Sequence, residues 1–339
     1  MKLIKPIYVS LFHCKAGECN DTCCADWEVD IDEKTLNNYR SLPGDLGDEL
    51  RRNICYDTTP HFSLCDDGRC PFLDASGLCR IISTLGDGWI CDICREHPRY
   101  YNRLGDTIEC GIGLACEAAA ELILSCELPL RFVSEESTVE GEEDADEKDS
   151  MAVDYVRSVR QTLFDLTASG SSAYDILSRV YKYAEEADDC LFEIQAGLRR
   201  DILAPPIQEG GAHLYDVFVG STGELLSLEV LDVGFLSDLR GAKAFLDEST
   251  YPKNLLHSIE PFAKRLLTYF IHRYLGDAIY DGCLCGRIRL SVLSTLAICL
   301  VALSKGAIDL PGFSTVAKDF SKNLEYSTKN TEGLIDFLS

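Results

Sequence analysis

Beyond residue 150 the apolar positions recur at three- and four-residue steps. Val153, Val156, Val159, Leu163 and Leu166 form one such stripe, and Ile176, Leu177, Val180, Tyr181, Ala184, Leu191, Ile194 and Leu198 continue it to about residue 199. This is the pattern of amphipathic helices that turn one face to a core. Ala204-Pro205-Pro206 and Gly210-Gly211 interrupt it, because proline lacks an amide donor and glycine loses the most backbone freedom on ordering. Residues 215–220 and 225–230, separated by Ser221-Thr222-Gly223, fit a hairpin or two short helices equally well. Helical spacing returns over residues 252–275, 287–304 and 313–326. Within the second of these, the 15 residues 290–304 run without a charge between Arg289 and Lys305. A membrane-spanning helix needs about 20, so the run is expected to be a buried core helix.

Before residue 134 the periodicity is weak. Residues 1–13 read as an apolar lead-in with a short strand. Trp27-Glu28-Val29-Asp30-Ile31-Asp32 alternates as a half-buried strand does, and Asp30 or Asp32 then caps a helix over residues 33–39. Pro43, Gly44 and Gly47 break that helix before a second over residues 48–54. Residues 56–88 are rich in Asp, Gly, Ser and Thr and read as loop, too poor in apolar positions to make their own core. Residues 117–125 form a better helix, ended by Pro129. The expected fold is mainly α: a small irregular cysteine-rich, metal-binding domain over 1–133, an acidic flexible linker over 134–150, and a helical domain over 151–339.

Charge sharpens this division. The chain carries a net −24, of which the nine acids of residues 134–150 against Lys148 supply −8. Such an acidic chain repels phosphates, so nucleic acid is not an expected partner, and a lysine-bearing protein is a better one. No membrane association is expected.

The cysteines carry the chemistry. Of 17, 13 fall between Cys14 and Cys126, and nine of these make three groupings. The first is Cys14, Cys19, Cys23 and Cys24; the second is Cys70 with Cys79; the third is Cys91 and Cys94, with Cys116 further on. Thiolates a few residues apart converge on one soft metal or cluster, because a short loop brings their sulfurs to one point. Disulfides are the competing reading. Lys2 and Lys5 precede an apolar run of only residues 7–12, a poor export signal, and the cysteine total is odd. The expected compartment is therefore the reducing cytoplasm, where clustered cysteines read as metal ligands. Cys55, Cys65, Cys110 and Cys126 are weaker candidates, and Cys190, Cys283, Cys285 and Cys299 are expected to pack as small apolar residues.

Three motifs fall short. Cys19-x3-Cys23 begins a radical S-adenosylmethionine signature, but Asp26 stands where its third cysteine belongs. Residues 229–234 resemble the first strand and glycine of a nucleotide-binding methyltransferase loop, yet Phe235 and Leu236 occupy positions that need glycine. Gly111-Ile112-Gly113 is a lone pair of glycines. His97 follows Cys94-Arg95-Glu96 and is the histidine placed to touch a metal site; His272 reads as core. No hydrolase set is identifiable.

The run Cys14, Cys19, Cys23-Cys24-x2-Trp27, then Cys70-Pro71-Phe72-Leu73, Cys79, Cys91-x2-Cys94-Arg95-x2-Pro98-Arg99 and Cys116-Glu117, resembles the flagellin lysine-N-methylases. Its N-terminal part is similar to the zinc- or iron-chelating cysteine-cluster domains. Tyr269-Phe270-x2-Arg273-Tyr274 and the apolar helix after it resemble the family's C-terminal region. The resemblance implies S-adenosylmethionine-dependent methylation of flagellin lysines by a protein with an iron–sulfur cluster, a [4Fe-4S] centre, with zinc as the alternative metal. The favoured ligands are Cys14, Cys19, Cys23, Cys24, Cys70, Cys79, Cys91, Cys94 and Cys116; no catalytic or methyl-donor residue is singled out. The competing function is a non-catalytic iron- or zinc-binding protein.

Overall fold

The apolar lead-in forms a strand, Lys2–Pro6, and a single helical turn, Ile7–Ser10, in the computed structural model, which describes residues 1–25, 27–136, 147–248 and 254–339. The strand lies inside a four-stranded sheet in the order Arg99–Leu104, Thr107–Ile112, Lys2–Pro6, Phe132–Glu136. It pairs parallel to Thr107–Ile112, with Lys2 opposite Thr107 and Ile4 opposite Glu109, and antiparallel to Phe132–Glu136. Periodicity did not forecast this sheet. Thr107 and Glu109 are polar yet buried, which breaks the alternation a half-buried strand normally shows. Glu109 is tolerated there because the Arg160 guanidinium grips both its oxygens.

Contact within the chain divides it differently from the expected boundary near residue 134. One unit comprises 1–12, 101–115 and 119–339; the other comprises 13–100 with 116–118. The physical reason is the sheet, which ties the first strand and Phe132–Glu136 to residues 107–112. The acidic run expected as a linker begins inside the Phe132–Glu136 strand and ends inside the Glu147–Thr167 helix; residues 137–146 lie outside the described residues.

The larger unit is mainly helical, as expected. Its apolar run extends into the 22-residue helix Leu284–Lys305, long and apolar enough by composition to cross a membrane, but 89% of its most apolar window is buried. Ala173–Gln195, Val233–Glu248, Glu260–Tyr274, Leu310–Leu324 and Thr328–Leu338 pack around it. Ser291 and Thr295, both fully buried in it, donate to the carbonyls of Arg287 and Ser291 at 2.9 and 2.8 Å, which settles their hydroxyls without a partner helix. Gly286 lets the C-terminal helix come close: a Cβ there would stand 2.4 Å from the Ile335 carbonyl oxygen. The open choice over 215–230 resolves as one helix, Leu214–Leu226, burying Leu214, Phe218 and Leu225.

The smaller unit is less irregular than expected. Trp27 to Asp32 forms no continuous strand; Asp30 makes one isolated bridge with His61. Asp32 caps the helix Glu33–Ser41 by accepting from the Thr35 amide at 2.9 Å. The second helix is Asp45–Arg52. The supposed loop of 56–88 contains the helix Arg80–Leu85 and supplies Phe62, Phe72 and Ile81 to a core with Val29, Ile31, Leu36, Tyr39, Leu50, Ile54, Ile90 and Cys91. These residues arrive singly from separate turns, so no periodic stripe announced them.

Candidate metal centre

Against that core the cysteine-rich unit presents its thiols. Cys91 is buried in it, and Cys70, Cys79 and Cys94 pack half-buried on its edge. Local backbone bonds set their places. The Cys70 amide donates to the Cys24 carbonyl at 2.8 Å beside the Ala25–Arg69 bridge, which lays Cys24 next to Cys70. The Leu73–Cys79 bridge and the bond from the Arg80 amide to the Phe72 carbonyl at 2.7 Å fold Cys79 back over the Cys70-Pro71-Phe72 turn. Cys91 precedes the helix Asp92–Glu96, and Cys94 lies one turn on. Tyr39, fully buried, donates to the Trp89 carbonyl at 2.7 Å, with its hydroxyl 3.8 Å from the Cys91 sulfur.

The remaining favoured cysteines gather elsewhere on the same unit. Cys14 is exposed, while Cys19, Cys23 and Cys116 are half-buried. Glu117 holds this group together. Its carboxylate accepts from Lys15 Nζ at 3.3 Å, from the Asn20 amide at 3.0 Å and from Asn20 Nδ2 at 3.3 Å. Trp27 Nε1 donates to the Cys23 carbonyl at 2.7 Å. Tyr39 and Arg69 were not singled out by sequence, and Glu117 entered only as the residue that directly follows Cys116.

The thiols sense one another. Cys23 and Cys24 hydrogen-bond through their side chains, and this bond, helped by Thr22 and the Arg69 guanidinium, holds Cys24 down to about 7 against burial. The same bond, with burial, pushes Cys23 up. The Cys94 thiol likewise supports Cys91 as thiolate, and Cys94 is itself driven up by that bond and by burial. Burial pushes Cys70 up to about 12 and Cys19 to about 11, and raises Cys79. Several half-buried thiols this close together ionise as a group only beside a cation that neutralises them. The donor chemistry therefore fits a thiolate-bound metal, although among the described residues no three His, Cys, Asp or Glu side chains converge at ligating distance as they stand.

None of the other cysteines joins these groups. All 17 are thiols without a disulfide. The Cys55 sulfur lies 2.9 Å from Ser63 Oγ, Cys65 is exposed, and Cys110 and Cys126 belong to the helical unit. Cys190, Cys285 and Cys299 are buried as expected; Cys283 is only half-buried, a departure from the apolar packing expected of it. The His97 ring packs 6.0 Å from that of Trp27.

The chain is 27% identical over 135 residues to the Lysine-N-methylase of Salmonella typhimurium, covering 36% of this chain and 32% of that protein. Part of this chain is similar to the lysine-N-methylases. The same protein of Salmonella choleraesuis matches equally, at 27% over 135 residues. The flagellar biosynthetic protein FliU of Salmonella muenchen is 26% identical over 132 residues, 76% of its length. The chain thus spans about a third of the lysine-N-methylases it matches. No family model and no solved structure matches it.

Proposed function

We propose that this protein is a protein-lysine N-methyltransferase that transfers methyl groups from S-adenosylmethionine to flagellin in the cytoplasm and carries an iron–sulfur cluster on its cysteine-rich unit. The observation that carries the reading is the similarity to the Salmonella lysine-N-methylases and FliU, whose names join lysine methylation and the flagellum. The nine-thiol donor set supports the metal.

The chemistry sets a second requirement. A lysine amine attacks a sulfonium methyl only when neutral, yet its free pKa is about 10.4. The site must desolvate the ammonium or take its proton. A cleft of about 430 Å³ in the helical unit, lined by Thr167, Ser169, His257, Glu260, Lys264 and Arg265, supports the reading. It has the size of a small-ligand site, and in it the Glu260 carboxylate pairs with Lys264 Nζ at 3.0 Å and lies 4.0 Å from His257 Nδ1.

The deciding experiment incubates anaerobically reconstituted protein with methyl-labelled S-adenosylmethionine and flagellin from the same organism. Mass spectrometry then maps the label. Label on flagellin lysines, lost in Cys24→Ala, supports the proposal. A fully metal-loaded protein that labels no lysine rejects it in favour of a non-catalytic iron- or zinc-binding role.

A further inference from the structure

Nine thiols are more than one four-ligand centre can use, and the fold separates them. In the first group, three contacts share one rule: each is made by the residue that directly follows a cysteine. Lys15 follows Cys14, Asn20 follows Cys19, and both meet Glu117, which follows Cys116. Three cysteines distant in sequence are thereby drawn to one place, beside Cys23. The Ala16 amide also lies 3.3 Å from the Cys14 sulfur, so the loop closes on that thiol.

The second group stands on different ground. Cys91, Cys70, Cys79 and Cys94 belong to the apolar core of Tyr39, Phe62 and Phe72, and none of Cys14, Cys19, Cys23 or Cys116 does. Cys24 is bound to this side through its carbonyl and the Cys70 amide. The division falls between the neighbours Cys23 and Cys24.

We infer that the cysteine-rich unit holds two separate thiolate metal centres, one on Cys14, Cys19, Cys23 and Cys116 and one on four of Cys24, Cys70, Cys79, Cys91 and Cys94. This rests on the metal reading above and extends it from one centre to two. Four thiolates complete a tetrahedral metal site or the protein ligands of a cubane. On binding, metal–sulfur bonds replace the Cys23–Cys24 and Cys91–Cys94 thiol hydrogen bonds, and the displaced protons go to solvent. The centres differ in surroundings. The first sits on a polar, water-reached loop with a carboxylate beside it, and the second sits on an aromatic floor. The first should therefore yield its metal to a chelator sooner.

The test is an anaerobic cobalt(II) titration of the reduced full-length chain, read by thiolate charge-transfer absorption and native mass spectrometry. About two equivalents are expected for the unsubstituted chain. Cys19→Ser/Cys116→Ser and Cys70→Ser/Cys94→Ser should each retain about one. The retained cobalt and an unchanged far-UV circular dichroism spectrum show that a variant is folded; should a double variant lose that spectrum, Cys14→Ser replaces the first and Cys79→Ser/Cys91→Ser the second. A single equivalent in the unsubstituted chain, or loss of all cobalt from a folded variant of either group, overturns the two-centre assignment and leaves thiolate metal binding intact. No thiolate-bound cobalt in the unsubstituted chain overturns the metal reading itself.

Discussion

Arg160→Met is the sharpest probe of the helical unit. The Glu109 carboxylate is 2% exposed and accepts two bonds from the Arg160 guanidinium, itself 12% exposed. Burial alone would raise the Glu109 pKa, but Arg160 more than offsets it and the carboxyl stays below its ordinary range. His272, fully buried alongside and pushed down to about 4 chiefly by burial, is neutral at pH 7 and offers no replacement charge. Removing the guanidinium leaves a buried carboxylate uncompensated, a loss of about 3–5 kcal/mol. In the parent protein the folded pKa is the lower one, so the pair's stabilisation is complete above the unfolded value and is lost as pH falls through the folded value. In Arg160→Met burial loses its chief opponent and the folded pKa rises. The deficit should then be largest at pH 7 and shrink as pH falls. Guanidinium denaturation at pH 7 and pH 5, followed by far-UV circular dichroism, measures both. Glu109→Gln/Arg160→Met should cost less than Arg160→Met alone, because neither charge is then stranded. A loss under about 1 kcal/mol for Arg160→Met, or a double variant as costly as the two single losses added, would refute the argument.

Two further outcomes are expected. Gly286→Ala forces a methyl against the Ile335 carbonyl oxygen and Ser339 Oγ, and should lower stability by about 1–3 kcal/mol in the same denaturation assay. Asp32→Ala removes the cap on Thr35 and the acceptor of the Asp92 amide at 3.0 Å, at a cost of about 0.5–2 kcal/mol. Burial opposes but does not outweigh the amides that hold the Asp32 carboxyl below its usual range, so the variant's deficit should vanish as pH falls through that range, as a thermal-melt series against pH would show.

What the sequence made legible followed from periodicity. Val153 to Leu166 and Ile176 to Ile194 announced their helices because each stripe faces one apolar core. Residues 215–230 did not, since Ser221, Thr222 and Gly223 dilute the stripe, although Ser221 and Thr222 are buried within the helix. The sheet was hidden by polar residues at buried positions, above all Glu109, whose partner lies 51 residues on. The cysteines were visible as a population but not as a partition. Local spacing joins Cys23 to Cys24, and only the fold shows Cys116 and Glu117 returning to the loop of Cys14 and Cys19.

The first strand has a consequence for synthesis. Lys2–Pro6 leaves the ribosome well before its partners, since its parallel neighbour begins at Thr107 and its antiparallel one at Phe132. Parallel strands require a long crossover, and here the connection contains nearly the whole cysteine-rich unit. For about 100 residues of translation the strand has no edge to join, while the thiols from Cys14 to Cys94 are already emerging. If the thiols take metal as proposed, the nascent chain meets its metal supply before its sheet exists. The group completed by Cys116 cannot close until both strands of the Arg99–Ile112 hairpin have been made. Metal limitation during growth should thus be felt on the ribosome, as nascent chains lost to proteolysis, more than as finished protein lacking metal.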